Sequence, residues 1–151
     1  SGSKATVRGT ALNLLVRLNL GTFIQPNPAW NAEDVRSVSL NSEVTSVKGN
    51  VVEVRFSGDA ELRADSRFNR NSYTPKLLGH ASYDTRTQAF TKFELLAVGT
   101  HTVGDAGQGA QAVRGPRSIP LGVLFTINGS NANDRVVPHF HRGYNAIARE
   151  R

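Results

Sequence analysis

The chain of 151 residues contains no cysteine and no methionine, and aromatic residues make up only 7% of it. Without cysteine, neither a disulfide framework nor a thiolate-ligated metal site can form. No apolar run approaches the roughly 20 residues that a membrane-spanning helix needs. The longest candidate, residues 11–20, is interrupted by Asn13, Arg17 and Asn19. The sequence therefore predicts neither a disulfide-stabilised scaffold nor a transmembrane helix.

Charge and composition indicate a globular domain. The sequence has 38% hydrophobic and 20% charged residues, which is too apolar for a disordered chain. Its 18 Lys and Arg residues exceed 12 Asp and Glu residues, giving a net charge of +6. Fourteen of the basic residues are arginines, which either recognise phosphate or carboxylate groups or reflect a GC-rich genome. No run of five or more like charges occurs, which favours the second explanation.

The chain length fits one domain, which we expect to span residues 4–145. Residues 1–3, Ser-Gly-Ser, are typical of a tag scar or linker, and we expect residues 146–151 to form a frayed tail.

Alternation of apolar and polar residues is the main structural signal. In residues 11–20 a leucine or valine recurs at every second position, which predicts a first strand. The same alternation predicts further strands over 38–45, 52–64, 77–83, 89–100 and 119–127.

One strand and two connecting segments have a distinctive composition. Leu95 to Val98 are all apolar, which predicts a strand covered on both faces. Residues 65–75 are polar and rich in arginine, which predicts a connection, and residues 102–118 are rich in glycine, which is typical of a functional or mobile loop.

A single short helical turn is predicted after Asn31, a suitable N-cap, with Trp30 and Val35 at the spacing of a hydrophobic staple. The whole pattern predicts an all-β fold of about six antiparallel strands, forming either a barrel or a two-sheet sandwich. Periodicity does not choose between the two.

Motifs in the second half of the chain carry a resemblance. They are Phe93–Thr100, Arg114–Pro116, Pro120–Phe125 and Asp134–Pro138. This part of the chain resembles uncharacterised β-rich proteins of planctomycete-type environmental bacteria. The resemblance implies a bacterial source and export to the periplasm or the exterior, and it implies no activity or cofactor.

Histidines are the main candidates for metal binding. His139 and His141 are two residues apart, so on a strand both imidazoles would face one way. His101 or His80 could complete a three-ligand site for a divalent metal. The alternative, which we favour, is that His139 and His141 lie in a mobile tail after Pro138, and we therefore expect no cofactor.

Four residues are candidates for ligand binding. Asp105 and Arg114 lie in the glycine-rich loop, Tyr144 lies near the C-terminus, and Trp30 could line a pocket or pack in the core.

Basic residues interleaved with aromatic ones mark a separate candidate surface. The set comprises Arg63, Arg67, Phe68, Arg70, Tyr73 and Lys76. Charge for the backbone and rings for base stacking are what single-stranded nucleic acid requires. The alternative is a loop whose aromatic residues dock on the core.

The favoured function is a β-scaffold binding module for a small molecule, a carbohydrate or a protein partner, and a homo-oligomer is compatible with it. The second hypothesis is a small β-barrel enzyme, with chemistry that rests on His101, His139, His141, Asp105 and Tyr144. Nucleic-acid binding and a structural or assembly role are further hypotheses.

Overall fold

The computed structural model describes residues 2–20, 30–66, 69–104 and 117–127. Six strands form one sheet in chain order, and every neighbouring pair is antiparallel. The strands are β1 (Lys4–Thr6), β2 (Val35–Lys48), β3 (Val51–Ser66), β4 (Asn69–Asp84), β5 (Ala89–Val103) and β6 (Arg117–Thr126). The all-β class is confirmed. The sheet is open, because β1 and β6 are not paired with each other in the described residues.

Residues 10–19 form helix α1 (Thr10–Asn19), so the predicted strand over 11–20 is wrong. Leu15 occupies a position that the alternation required to be polar, so the period of two was incomplete. Leu12, Val16 and Leu20 recur every four residues and are buried together, as the apolar stripe of a helix requires. Leucine also has a high helix propensity, whereas β-branched residues are rare in this segment.

Trp30 forms hydrogen bonds with the C-terminal end of α1. Its backbone N–H donates to the Arg17 carbonyl oxygen at 3.0 Å, and the Arg17 Nε donates back to the Trp30 carbonyl oxygen at 3.2 Å. The Trp30 indole N–H donates to the Leu20 carbonyl oxygen at 2.9 Å. These bonds satisfy backbone groups at a helix terminus that would otherwise lack partners.

The helical turn predicted after Asn31 is confirmed as a 3-10 helix, Ala32–Asp34. The Asn31 backbone N–H donates to the Asp34 carboxylate at 2.9 Å. This turn leads directly into β2.

The predicted connection over 65–75 is wrong in most of its length, because β3 extends to Ser66 and β4 begins at Asn69. Asp65, Arg70 and Thr74 are exposed on the sheet, whereas Asn71 is buried, and the sequence pattern did not distinguish such a strand from a loop. Pro75 lies inside β4, where proline is unusual. The β3–β4 ladder has no paired residues between Asp59–Lys76 and Leu62–Tyr73, and Pro75 falls in this gap.

One face of the sheet, the inner face, forms a single core with α1 and Trp30. Gly99 allows close approach of β4 and β5 there, because a Cβ at this position would overlap the Thr74 carbonyl oxygen. The Tyr73 hydroxyl donates to the carbonyl oxygens of Ala97 and Leu121, at 3.2 and 3.0 Å. These bonds tie the buried tyrosine of β4 to the backbones of β5 and β6.

Candidate functional site

The opposite face of the sheet, the outer face, is polar along β2, β3 and the adjoining part of β4. The Arg55 guanidinium contacts the Glu43 carboxylate at 2.7 Å, and this hydrogen bond lowers the pKa of Glu43. The Ser82 hydroxyl donates to the Glu53 carboxylate at 2.9 Å. Cross-strand pairs of this kind are expected where one face of an antiparallel sheet meets water.

The middle of the outer face along β4, β5 and β6 carries apolar side chains instead, beside the exposed Lys76, which lies opposite Val98. Leu78 lies directly opposite Leu96, and Leu96 lies directly opposite Leu124, so three leucines form a row across three strands. Their exposed fractions are 60%, 40% and 63%. Val98, the next outward residue of β5, is 49% exposed. We call Leu78, Leu96, Val98 and Leu124 the apolar patch.

Polar side chains border the apolar patch at both ends. At one end the His80 Nε2 contacts the Glu94 carboxylate at 2.9 Å, with the Lys92 ammonium 3.8 Å from the same oxygen. At the other end the hydroxyls of Thr102 and Ser118 are 2.9 Å apart. An apolar area with a polar rim is the usual form of a protein–protein contact surface.

Packing among the described residues does not account for the apolar patch. Leu95 and Ala97 are fully buried on the inner face, so the alternate positions of β5 need no apolar side chain for the core. The four exposed side chains present on the order of 400 Å² of apolar surface, a size at which patches on monomers are often functional. The sequence predicted a strand covered on both faces, and within the described residues only the inner face of this strand is covered.

His101 lies on the inner face and is fully buried. Its ring centroid is 6.1 Å from that of Tyr73, and neither imidazole nitrogen has a hydrogen-bond partner among the described residues. Burial lowers the pKa of His101, which favours the neutral imidazole.

Burial also affects the protonation of Tyr73 beside it. Burial raises the pKa of Tyr73 to about 12, so the phenol stays protonated and donates its hydrogen bonds.

Only His80 and His101 of the predicted metal site lie within the described residues. His139 and His141 lie outside the described residues, and His101 is enclosed in the core. Among residues 2–20, 30–66, 69–104 and 117–127, no group of three or more potential ligands could hold a metal ion. His80, the alternative third ligand, contacts Glu94 on the outer face. The metal site therefore stays a prediction.

The predicted ligand-binding residues are not brought together by the described part of the chain. Trp30 is buried in the core with its indole N–H bonded, which is the packing role that the staple spacing indicated. Asp105, Arg114 and Tyr144 lie outside the described residues.

The basic and aromatic residues predicted for nucleic acid are split between two faces. Arg63, Arg70 and Lys76 are exposed, whereas Tyr73 is fully buried on the inner face and cannot stack on a base. Arg67 and the side chain of Phe68 lie outside the described residues. A shallow depression of about 280 Å³ lies beside Arg63 and Arg70, and Asp65 also lines it.

The alternation did not mark Leu78 and Leu124 as exposed apolar residues. Each stands at an outward position between inward-facing neighbours, so each breaks the alternation by which its strand was recognised. Comparing the outward positions of adjacent strands would have revealed them.

In the part of the chain that the structure describes, no helix has the length and apolarity to cross a membrane. No protein family, no curated protein and no solved structure matches this chain.

Proposed function

We propose that this chain is a binding module and that it docks a protein partner on the outer face of its sheet. The observation that carries the proposal is the in-register row of Leu78, Leu96 and Leu124, each at least 40% exposed. The part of the same face along β2 and β3 is polar. A sheet face in contact with water usually carries polar side chains. Leucines on three neighbouring strands therefore favour contact of this face with the surface of another protein.

The shape of the apolar patch favours a protein over a small molecule. Small-molecule sites are concave and enclose most of their ligand. The patch instead lies on the pleated face of three adjacent strands, which suits a partner that is also extended.

The size of the patch fits a standard interface. Such an interface buries about 800 Å² on each partner, of which somewhat more than half is apolar. The patch supplies an apolar centre of this order, and the His80–Glu94 pair and the Thr102–Ser118 pair supply the polar rim.

Site-specific photocrosslinking tests this proposal. A benzophenone amino acid replaces Leu124 in the protein expressed in its native cells, and a matched variant carries it at Glu61, which is exposed on β3. We expect a covalent adduct of defined mass with a protein from position 124 and little from position 61. The absence of an adduct at 124, or equal adducts at both positions, would contradict the proposal.

A further inference from the structure

We infer that the partner on the outer face is a second copy of this chain, with the two apolar patches packed against each other. This inference rests on the proposed function. Three features of the molecule support it: the edge of the sheet, the symmetry of the apolar patch and its area compared with the area that a dimer requires.

The free edge of β6 is unsuited to strand addition. The Ile127 N–H donates to the Phe93 carbonyl oxygen at 3.2 Å, so this odd-numbered N–H points to β5. The β5–β6 register is continuous, and N–H directions alternate along a strand, so the even-numbered positions of β6 point away from β5. Pro120 is one of these positions and has no N–H. Within the described residues, the middle of this edge therefore lacks a donor, which disfavours edge-to-edge pairing of two copies.

The apolar patch is self-complementary. Leu96 stands at the centre of the leucine row, with Leu78 on one side and Leu124 on the other. A two-fold axis parallel to this row, midway between two sheets about 10 Å apart, places row against row.

The same axis brings opposite charges near each other. The His80–Glu94 pair and the Lys76–Val98 pair lie one outward position to either side of the leucine row, so the axis places the first pair of one copy over the second pair of the other. The Glu94 carboxylate of one copy then lies one strand away from the exposed Lys76 ammonium of the other.

The area matches the requirement of a dimer. A stable interface buries about 1,600 Å² in total, with somewhat more than half of it apolar. Two patches contribute on the order of 800 Å² of apolar surface, close to that share.

Molar mass in solution tests the inference. The chain has a mass of 16.3 kDa, and we expect wild-type protein at micromolar concentration to sediment with twice this mass. The double variant Leu96→Thr/Leu124→Thr should sediment as a monomer, because threonine keeps the strand preference and removes the apolar contact. Its circular dichroism spectrum and its melting curve report whether it is folded.

A matched control removes an exposed apolar side chain elsewhere. Val47 is 57% exposed and faces the inner side, opposite Val52. Val47→Thr should leave the dimer intact. A wild-type protein that stays at 16.3 kDa at all concentrations, or dissociation by Val47→Thr equal to that by the double variant, would overturn the inference.

A cross-link locates the contact. Because the chain has no cysteine, Leu96→Cys introduces a single thiol, and a short bismaleimide should join two copies through it. Glu61→Cys is the control and should remain uncrosslinked.

The photocrosslinking experiment separates failure of the two proposals. An adduct of the chain with itself from position 124 supports both. An adduct with a different protein, together with a monomeric wild type, overturns the second copy and leaves the proposed function standing.

Discussion

The buried imidazole of His101 makes a quantitative prediction about stability. The variant His101→Leu replaces a fully buried side chain, whose two nitrogens have no partner among the described residues, by an apolar one of similar size. An unpaired buried polar group costs about 1–3 kcal/mol. We therefore expect His101→Leu to raise the free energy of unfolding by about 1–3 kcal/mol at pH 7.5.

The pH dependence of that gain has a definite sign. Burial lowers the pKa of His101 below the 6.5 of the unfolded chain, so between these two pKa values the unfolded state binds more protons. The part of the free energy of unfolding that depends on a neutral His101 is fully present above pH 6.5. It is lost as the pH falls toward the folded-state pKa. Stability should fall there by up to about 1.4 kcal/mol per pH unit.

Urea denaturation followed by circular dichroism at pH 7.5 and 5.5 measures both effects. Wild type should lose more stability than His101→Leu between the two pH values. An identical pH dependence in the two proteins, or a variant that is less stable than wild type at pH 7.5, would refute this view of His101.

Three further results follow from the fold. Gly99→Val should lower the melting temperature strongly or prevent folding, because its side chain would overlap the Thr74 carbonyl oxygen; a melting temperature equal to that of wild type would be inconsistent with the close approach. Tyr73→Phe should lower the free energy of unfolding by about 0.5–1.5 kcal/mol, because it removes the hydroxyl bonds to the carbonyls of Ala97 and Leu121, and urea denaturation would show no loss if these bonds were absent. Elemental analysis of the purified protein should find no divalent metal, and added Zn²⁺ should not move the melting temperature; one bound equivalent would instead favour the histidine site.

The strands of the central hairpins were predictable because their alternation is nearly complete. In β3, apolar residues at even positions face the core and charged residues at odd positions face water, and the turn at residues 48–50 contains Gly49 with a positive φ of 57°. Local sequence and tertiary burial agree in such a strand, so the pattern alone was sufficient.

Elements with a conflict between local pattern and tertiary structure were not predictable. Residues 10–19 carry apolar side chains that fit a period of two except at Leu15 and that also fit a period of four, and packing against the sheet accompanies the helix. Pro75 argues locally against a strand, and a gap in the ladder accommodates it.

The apolar patch was partly predictable. Leu96 and Val98 marked a strand that is apolar on both faces. Leu78 and Leu124 join them only through the register of β4, β5 and β6, which a single sequence does not give.

Hydroxyl-radical footprinting of the protein in native cell extract tests the central claim most directly. Leu124, Leu78 and Val47 have nearly equal exposed fractions in the isolated chain, 63%, 60% and 57%. A partner over the apolar patch predicts that the two leucines are oxidised several-fold more slowly than in the Leu96→Thr variant, while Val47 reacts equally in both proteins. Oxidation of both leucines at the same rate in wild type and variant would contradict the claim.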